Sequence, residues 1–187
     1  AIQSKYSIAE LIEELYYQIR ENCVEKVTLI GHSWGAWLVA IFAEKYPEVV
    51  KEIILVGSGP LEDKYVSEID SRRVGNLSGE ELALYKRLIN NQVTDEDMKK
   101  IPAMFEKSDN YCLEDRESHR ADKSDSEMHN LVWSEAAKLR TEGKLLEVFQ
   151  KIDSKIYLIQ GHNDSHPAKG VMIPLQENNV SCEAYVL

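Results

Sequence analysis

The sequence predicts an α/β fold, a parallel sheet flanked by helices and interrupted by one helical insertion. Three observations carry this. Apolar runs of strand length recur at Val27–Ile30, 52–60, 155–160 and 181–187. A helical pattern joins the first two, and a βαβ unit pairs its strands in parallel, implying a sheet covered by helices on both faces. Between residues 61 and 150 the strand pattern disappears and helix signals replace it.

Each element has its own signature. Residues 7–22 read as a helix, opened by a capping box of Ser7 and Glu10 and carrying Ile8, Leu11, Ile12, Leu15 and Ile19 at helical spacing. Val27–Ile30 reads as a buried strand. The helix over Trp34–Tyr46 buries Trp37, Leu38, Ile41 and Phe42 and stops at Pro47. "EIILVGSGP" is the next strand, closed by Gly and Pro. In the insertion, Ser78 with Glu81 caps a helix carrying Leu82, Tyr85, Leu88 and Ile89, and Thr94 with Asp97 caps one carrying Met98, Ile101 and Phe105. Residues 108–127 are polar and rich in turn formers, which predicts a surface loop. The helical pair "EMHNLVWSEAAKLRTEG" and "KLLEVFQ" leads back to the strand "KIYLIQ", the loop "GHNDSHP", a short helix over 168–179 and a last strand, "SCEAYVL". The expected organisation is a core of residues 1–60 and 151–187 with a helical insertion over 61–150.

Composition narrows the functional classes. A chain of 187 residues with 43% hydrophobic content buries one substantial core. Its formal charge of -10 argues against nucleic-acid or anionic-membrane partners, which such a surface repels. Cys23, Cys112 and Cys182 lack metal-site spacing and are odd in number, as expected of free thiols in the reducing cytoplasm. No metal is implied.

The chemistry concentrates in "VTLIGHSWGAWLVA", where a strand turns into a helix without a loop and Ser33 stands at the corner between Gly31 and Gly35. Such a corner strains the central residue and requires small neighbours. It holds a serine Oγ clear of the backbone at the positive end of the following helix, where a developing oxyanion is stabilised. A second candidate is Asp164, just after the third strand; Asn163-Asp164-Ser165 is also good turn chemistry.

The order of strand, elbow, helix, strand, helical insertion, strand, acid-bearing loop and strand resembles the α/β-hydrolase superfamily. "GHSWG", "IILVGSGP" and "GHNDSHP" are similar to that family's elbow, next strand and acid loop, and the insertion stands where the family has its cap. The resemblance implies Ser33 as nucleophile, the backbone N–H of Trp34 as an oxyanion donor and Asp164 as the acid that orients a histidine. It implies an acyl-enzyme on Ser33, formed from a small ester or amide, with no cofactor. The family's first strands and its histidine would lie outside residues 1–187, so the sequence reads as an internal piece. "LVWSEAAKLR" is loosely similar to a Trp-and-Glu segment of proline iminopeptidases, which implies Trp133 and Glu135 as substrate-binding residues. Of the five histidines, His162 and His166 flank Asp164, His32 adjoins Ser33, and His119 and His129 lie in the insertion.

A reading from another class stands beside the hydrolase: a catalytically silent module that keeps the elbow and acts by association. Independently of which reading holds, without the family's earlier strands the edge of Val27–Ile30 is expected to be open to pairing, including homodimerisation.

Overall fold

The computed structural model describes residues 3–90, 92, 94–109 and 126–187. The side chains of Ile89, Met98 and His129, together with Cys112, His119 and nearly all of the expected 108–127 loop, lie outside what is described.

Four strands form a parallel sheet in the order β1 (Val27–His32), β2 (Val50–Val56), β3 (Lys155–Gln160), β4 (Glu183–Val186). The remaining elements are α1 (Ile8–Asn22), α2 (Trp34–Lys45), α3 (Val66–Asn76), α4 (Gly79–Ile89), α5 (Asp95–Asp109), α6 (Ser126–Thr141), α7 (Lys144–Gln150) and α8 (Lys169–Glu177). The expected caps form: Ser7 accepts from the Glu10 N–H, and Ser78 and Glu81 make a reciprocal capping box. The sequence reading did not find α3. Of its eleven residues Ile69 alone is buried, so it carries no apolar stripe for periodicity to detect.

The sheet departs from expectation in one respect. In-register partners share a face, and one row, Leu29, Ile53, Leu55, Ile156 and Leu158, packs into the main core with α2, α7 and α8. The opposite row bears Thr28, Ile30, Glu52, Ile54, Lys155, Tyr157 and Tyr185, with Ile30 67% and Tyr185 49% exposed. Thr28 even donates to the Glu52 carboxylate across the strands at 2.9 Å. The expectation of a buried first strand and a sheet covered on both faces is therefore corrected, since the described helices cover one face; β1 lies at the edge of the described sheet, where the sequence reading expected an open edge.

The core is centred on α2, where Trp37 and Phe42 are fully buried. Trp37 donates its indole N–H to the Gly59 carbonyl at 3.1 Å and stacks on Trp133 with ring centroids 5.8 Å apart. Val132 and Ala136 of α6 and Leu145 and Phe149 of α7 join this core. A separate small cluster, Leu77, Leu84, Tyr85 and Met104, holds α4 and α5 beneath α3.

Candidate active site

The corner between β1 and α2 is strained as the sequence requires. Ser33 adopts φ 53 and ψ -119, a region that side chains avoid and that costs about 1–3 kcal/mol unless its surroundings enforce it. The enforcement is visible. The Ser33 N–H donates to the Val56 carbonyl at 2.9 Å, pinning the corner to β2. A Cβ on Gly31 would stand 2.1 Å from the Gly35 carbonyl oxygen, so Gly31 must be glycine. Gly35 is different: a Cβ there meets nothing within 4 Å, so its smallness is not a packing requirement, contrary to the sequence reading. Trp34 opens α2, and its backbone N–H is among the first four of the helix, which have no intrahelical partner.

Asp164 follows β3 on the same end of the sheet. Gly57, at the end of β2 with φ 53, marks the meeting point: a Cβ there would lie 3.1 Å from Asp164 Oδ2 and 3.3 Å from His32 Nε2. The Asp164 carboxylate accepts on both oxygens. Oδ2 accepts from Gln160 Nε2 at 3.0 Å, and Oδ1 accepts the His166 backbone N–H at 2.8 Å while facing His166 Nδ1 at 3.3 Å. Gln160 is completely buried. Its Oε1 accepts from the Ser58 N–H at 3.0 Å and its Nε2 also donates to the His166 carbonyl at 2.9 Å, so one amide joins the end of β2 to both ends of the acid turn. From the outside Arg72 of α3 staples the same loop, donating to the Asp164 carbonyl at 2.6 Å and the His162 carbonyl at 3.3 Å. Glu68 orients Arg72, and Lys169 first, then Arg72, holds the Glu68 carboxyl below its ordinary range.

Ser33, Trp34 and His166 line one cavity of about 590 Å³, closed by Arg73 and Asp109 and by the apolar side chains of Phe105, Val132 and Trp133. Arg73 makes a bidentate pair with Asp109, at 2.7 and 2.9 Å, and lies over the Phe105 ring. Trp133 is among the residues lining this cavity. Glu135 is not among the residues lining the cavity; its carboxylate accepts the Ile8 N–H at 2.8 Å and caps α1. The sequence reading missed Arg73, Asp109, Arg72 and Gln160. For Gln160 a signal existed: it continues the buried alternation of Ile156 and Leu158, where a polar residue needs a partner. Among the described residues no group of three or more His, Cys, Asp or Glu side chains could hold a metal ion.

A strained serine between a parallel strand and a helix, with an acid loop after a later strand, defines a class, and comparison with known proteins agrees. The family model of the alpha/beta hydrolase fold matches residues 1–166, and the chain belongs to that family. Among solved structures, VinJ superposes with a TM-score of 0.62 at 14% identity, over 97% of this chain and 64% of its own. A proline iminopeptidase from Mycobacterium smegmatis gives 0.60 at 15%, over 97% and 64%. A putative lipase from Acinetobacter baumannii AYE gives 0.56 at 16%, over 100% and 61%. At these identities the likeness is one of fold, and the chain spans less than two thirds of the length of each. No curated protein matches the sequence. Among the described residues no helix is long and apolar enough to cross a membrane.

Proposed function

We propose that this hydrolase-fold chain carries the nucleophile and acid of a serine hydrolase that cleaves a small ester or amide through an acyl-enzyme on Ser33. The observation that carries the reading is the positive φ of Ser33 on the lining of a cavity, with the Asp164 turn at the same end of the sheet. In this reading Ser33 Oγ attacks the carbonyl carbon. The N–H of Trp34, at the positive end of α2, stabilises the oxyanion, and Asp164 orients the imidazole that takes the serine proton. Val132, Trp133 and Phe105 give the cavity an apolar wall for the acyl or leaving group, and α3 to α6 would act as the cap that selects it. The aminopeptidase variant receives less support, because Glu135 is engaged with α1 and the cavity carboxylate, Asp109, is already paired with Arg73. A cytoplasmic location is supported by the exposed free thiol of Cys23.

Mass spectrometry of the chain quenched in acid during turnover of p-nitrophenyl acetate tests the reading. The expected result is one acetyl group on the peptide bearing Ser33, absent from Ser33→Ala; acetylation confined to other residues would sink it.

The second reading, a silent module acting by association, is supported by the uncovered face and open edge at β1, with Ile30 67% exposed. In that reading a second copy of the chain pairs at the β1 edge.

A further inference from the structure

The cavity that Ser33 lines has a largely apolar wall, and among its described lining residues Arg73 is the single arginine or lysine and Asp109 the single carboxylate. A hydrocarbon ligand packed over that ion pair would strip water from it and put nothing in its place. The two partners are not equally fixed. Arg73, in the last turn of α3, has a side chain 20% exposed, and its guanidinium lies 4.8 Å from the centre of the Phe105 ring. Tyr85 packs edge-on against that ring and holds it in turn. Asp109 is the last residue of α5 and 29% exposed, so its charge stands at the negative end of the helix dipole. Besides Arg73, it meets the Ser108 hydroxyl, 3.1 Å from Oδ1. It takes Nε and Nη2 of Arg73, the planar fork that suits any carboxylate.

We infer that the Arg73 fork is a carboxylate-binding subsite of this cavity and that Asp109 is its built-in occupant, displaced when a ligand carboxylate arrives. As a statement about substrate the inference rests on the serine-hydrolase reading: the compound is a small ester or amide with a free carboxylate, joined through an apolar segment to the carbonyl presented to Ser33. Exchange in this direction is the less costly one. The ligand takes over two charge-assisted bonds on a donor that Phe105 keeps aimed, while Asp109, the more exposed partner, turns to water and leaves the negative end of α5. The reverse exchange, an ammonium group taking Asp109, would leave the less exposed Arg73 unpaired beside a second positive charge. Because the subsite is filled by its own side chain, its apparent affinity is reduced by the fraction of molecules in which the fork is free. Asp109 is then a competitor, and removing it strengthens binding.

The test is calorimetric titration of the full chain at neutral pH with phenylbutyrate and with phenylbutyramide, which match in shape and differ in charge. The carboxylate is expected to bind about 10-fold more tightly than the amide. Arg73→Gln should abolish that difference, and Arg73→Lys, which keeps the charge without the fork, should retain part of it. Asp109→Asn should tighten the carboxylate by about 5-fold and leave the amide unchanged, the opposite of what loss of a binding contact would do. If Arg73→Gln does not fold by circular dichroism, Arg73→Lys carries the comparison. Equal affinities for the two compounds, binding of neither, or a folded Asp109→Asn variant that holds the carboxylate no better than the native chain overturns the inference. The two readings fail separately. Acetylation of Ser33 together with equal affinities sinks the subsite alone, whereas a carboxylate preference that depends on Arg73, in a chain whose Ser33 is never acetylated, upholds the subsite and sinks the hydrolase reading.

Discussion

The body around the sheet and the layer made by α3, α4 and α5 are held by different forces. The body encloses Trp37, Phe42, Ile53, Leu55, Leu158 and Phe149, all essentially without solvent contact. The layer has a small cluster of four buried apolar residues with Leu82, Leu88, Ile101 and Phe105 packed against it, and carries polar links between its helices: Arg73 to Asp109, Arg87 to Asp97 at 2.6 Å, Lys107 to Glu81 at 2.7 Å, and the Tyr85 hydroxyl to Asp70. Apolar burial carries no titrating charge and is not screened by salt, whereas ion pairs near the surface are weakened by salt and by titration of either partner. The body therefore sets global stability, and the layer that covers the cavity is free to respond to solution conditions.

The sharpest way to break this contrast is to empty each part in turn. Trp37→Ala should cost about 3–5 kcal/mol in urea unfolding, whereas Met104→Ala should cost about 2 kcal/mol, at the low end for its class. Native-state amide exchange should show the second loss confined to α3–α5. Equal, global losses from both would show the layer to be part of one cooperative unit.

A smaller effect separates the two by pH. Arg87 beside Asp97, helped by the Thr94 N–H, holds the Asp97 carboxyl well below the usual range. A depressed carboxyl contributes stability above its unfolded pKa, and that contribution is lost as pH falls through the folded value. Burial, with the bond to Asp70, pushes the Tyr85 hydroxyl up to about 12. That contribution is complete below the ordinary tyrosine pKa and lost as pH rises through about 12. Exchange protection in α4 and α5 should thus fall at both acid and alkaline extremes before that of α2. Simultaneous loss in α2 would contradict the contrast.

How much of this was legible depended on sequence distance. The elbow was readable because strand, glycine, serine and helix are contiguous, and strain at Ser33 is a local property. The caps at Ser7 and Ser78 were readable for the same reason. The supports of the acid were not: Gln160 meets Ser58 at a separation of 102 residues, Arg72 meets Asp164 at 92, and Glu135 meets Ile8 at 127. Nothing in a local pattern distinguishes those side chains from solvated ones. The uncovered face left a trace that apolar content masked: Thr28, Glu52 and Lys155 are in register, a polar row incompatible with a buried surface.

The smallest expected effect on stability comes from that face. Ile30→Lys should leave the urea midpoint unchanged within about 0.5 kcal/mol, because Ile30 is exposed. If copies associate through the β1 side, sedimentation should show the variant less associated than the native chain at the same concentration. Identical sedimentation of both would remove that side as the contact.

The Gln160 amide has a mechanical meaning as well. Because its two ends grip the end of β2 and the acid turn after β3, it works as a gauge of strand alignment: sliding β3 along β2 by a fraction of a residue would drag Asp164 and His166 with it. Hydrogen-bond ladders resist such sliding stiffly, so the sheet lends its own rigidity to two side chains that stand on a turn.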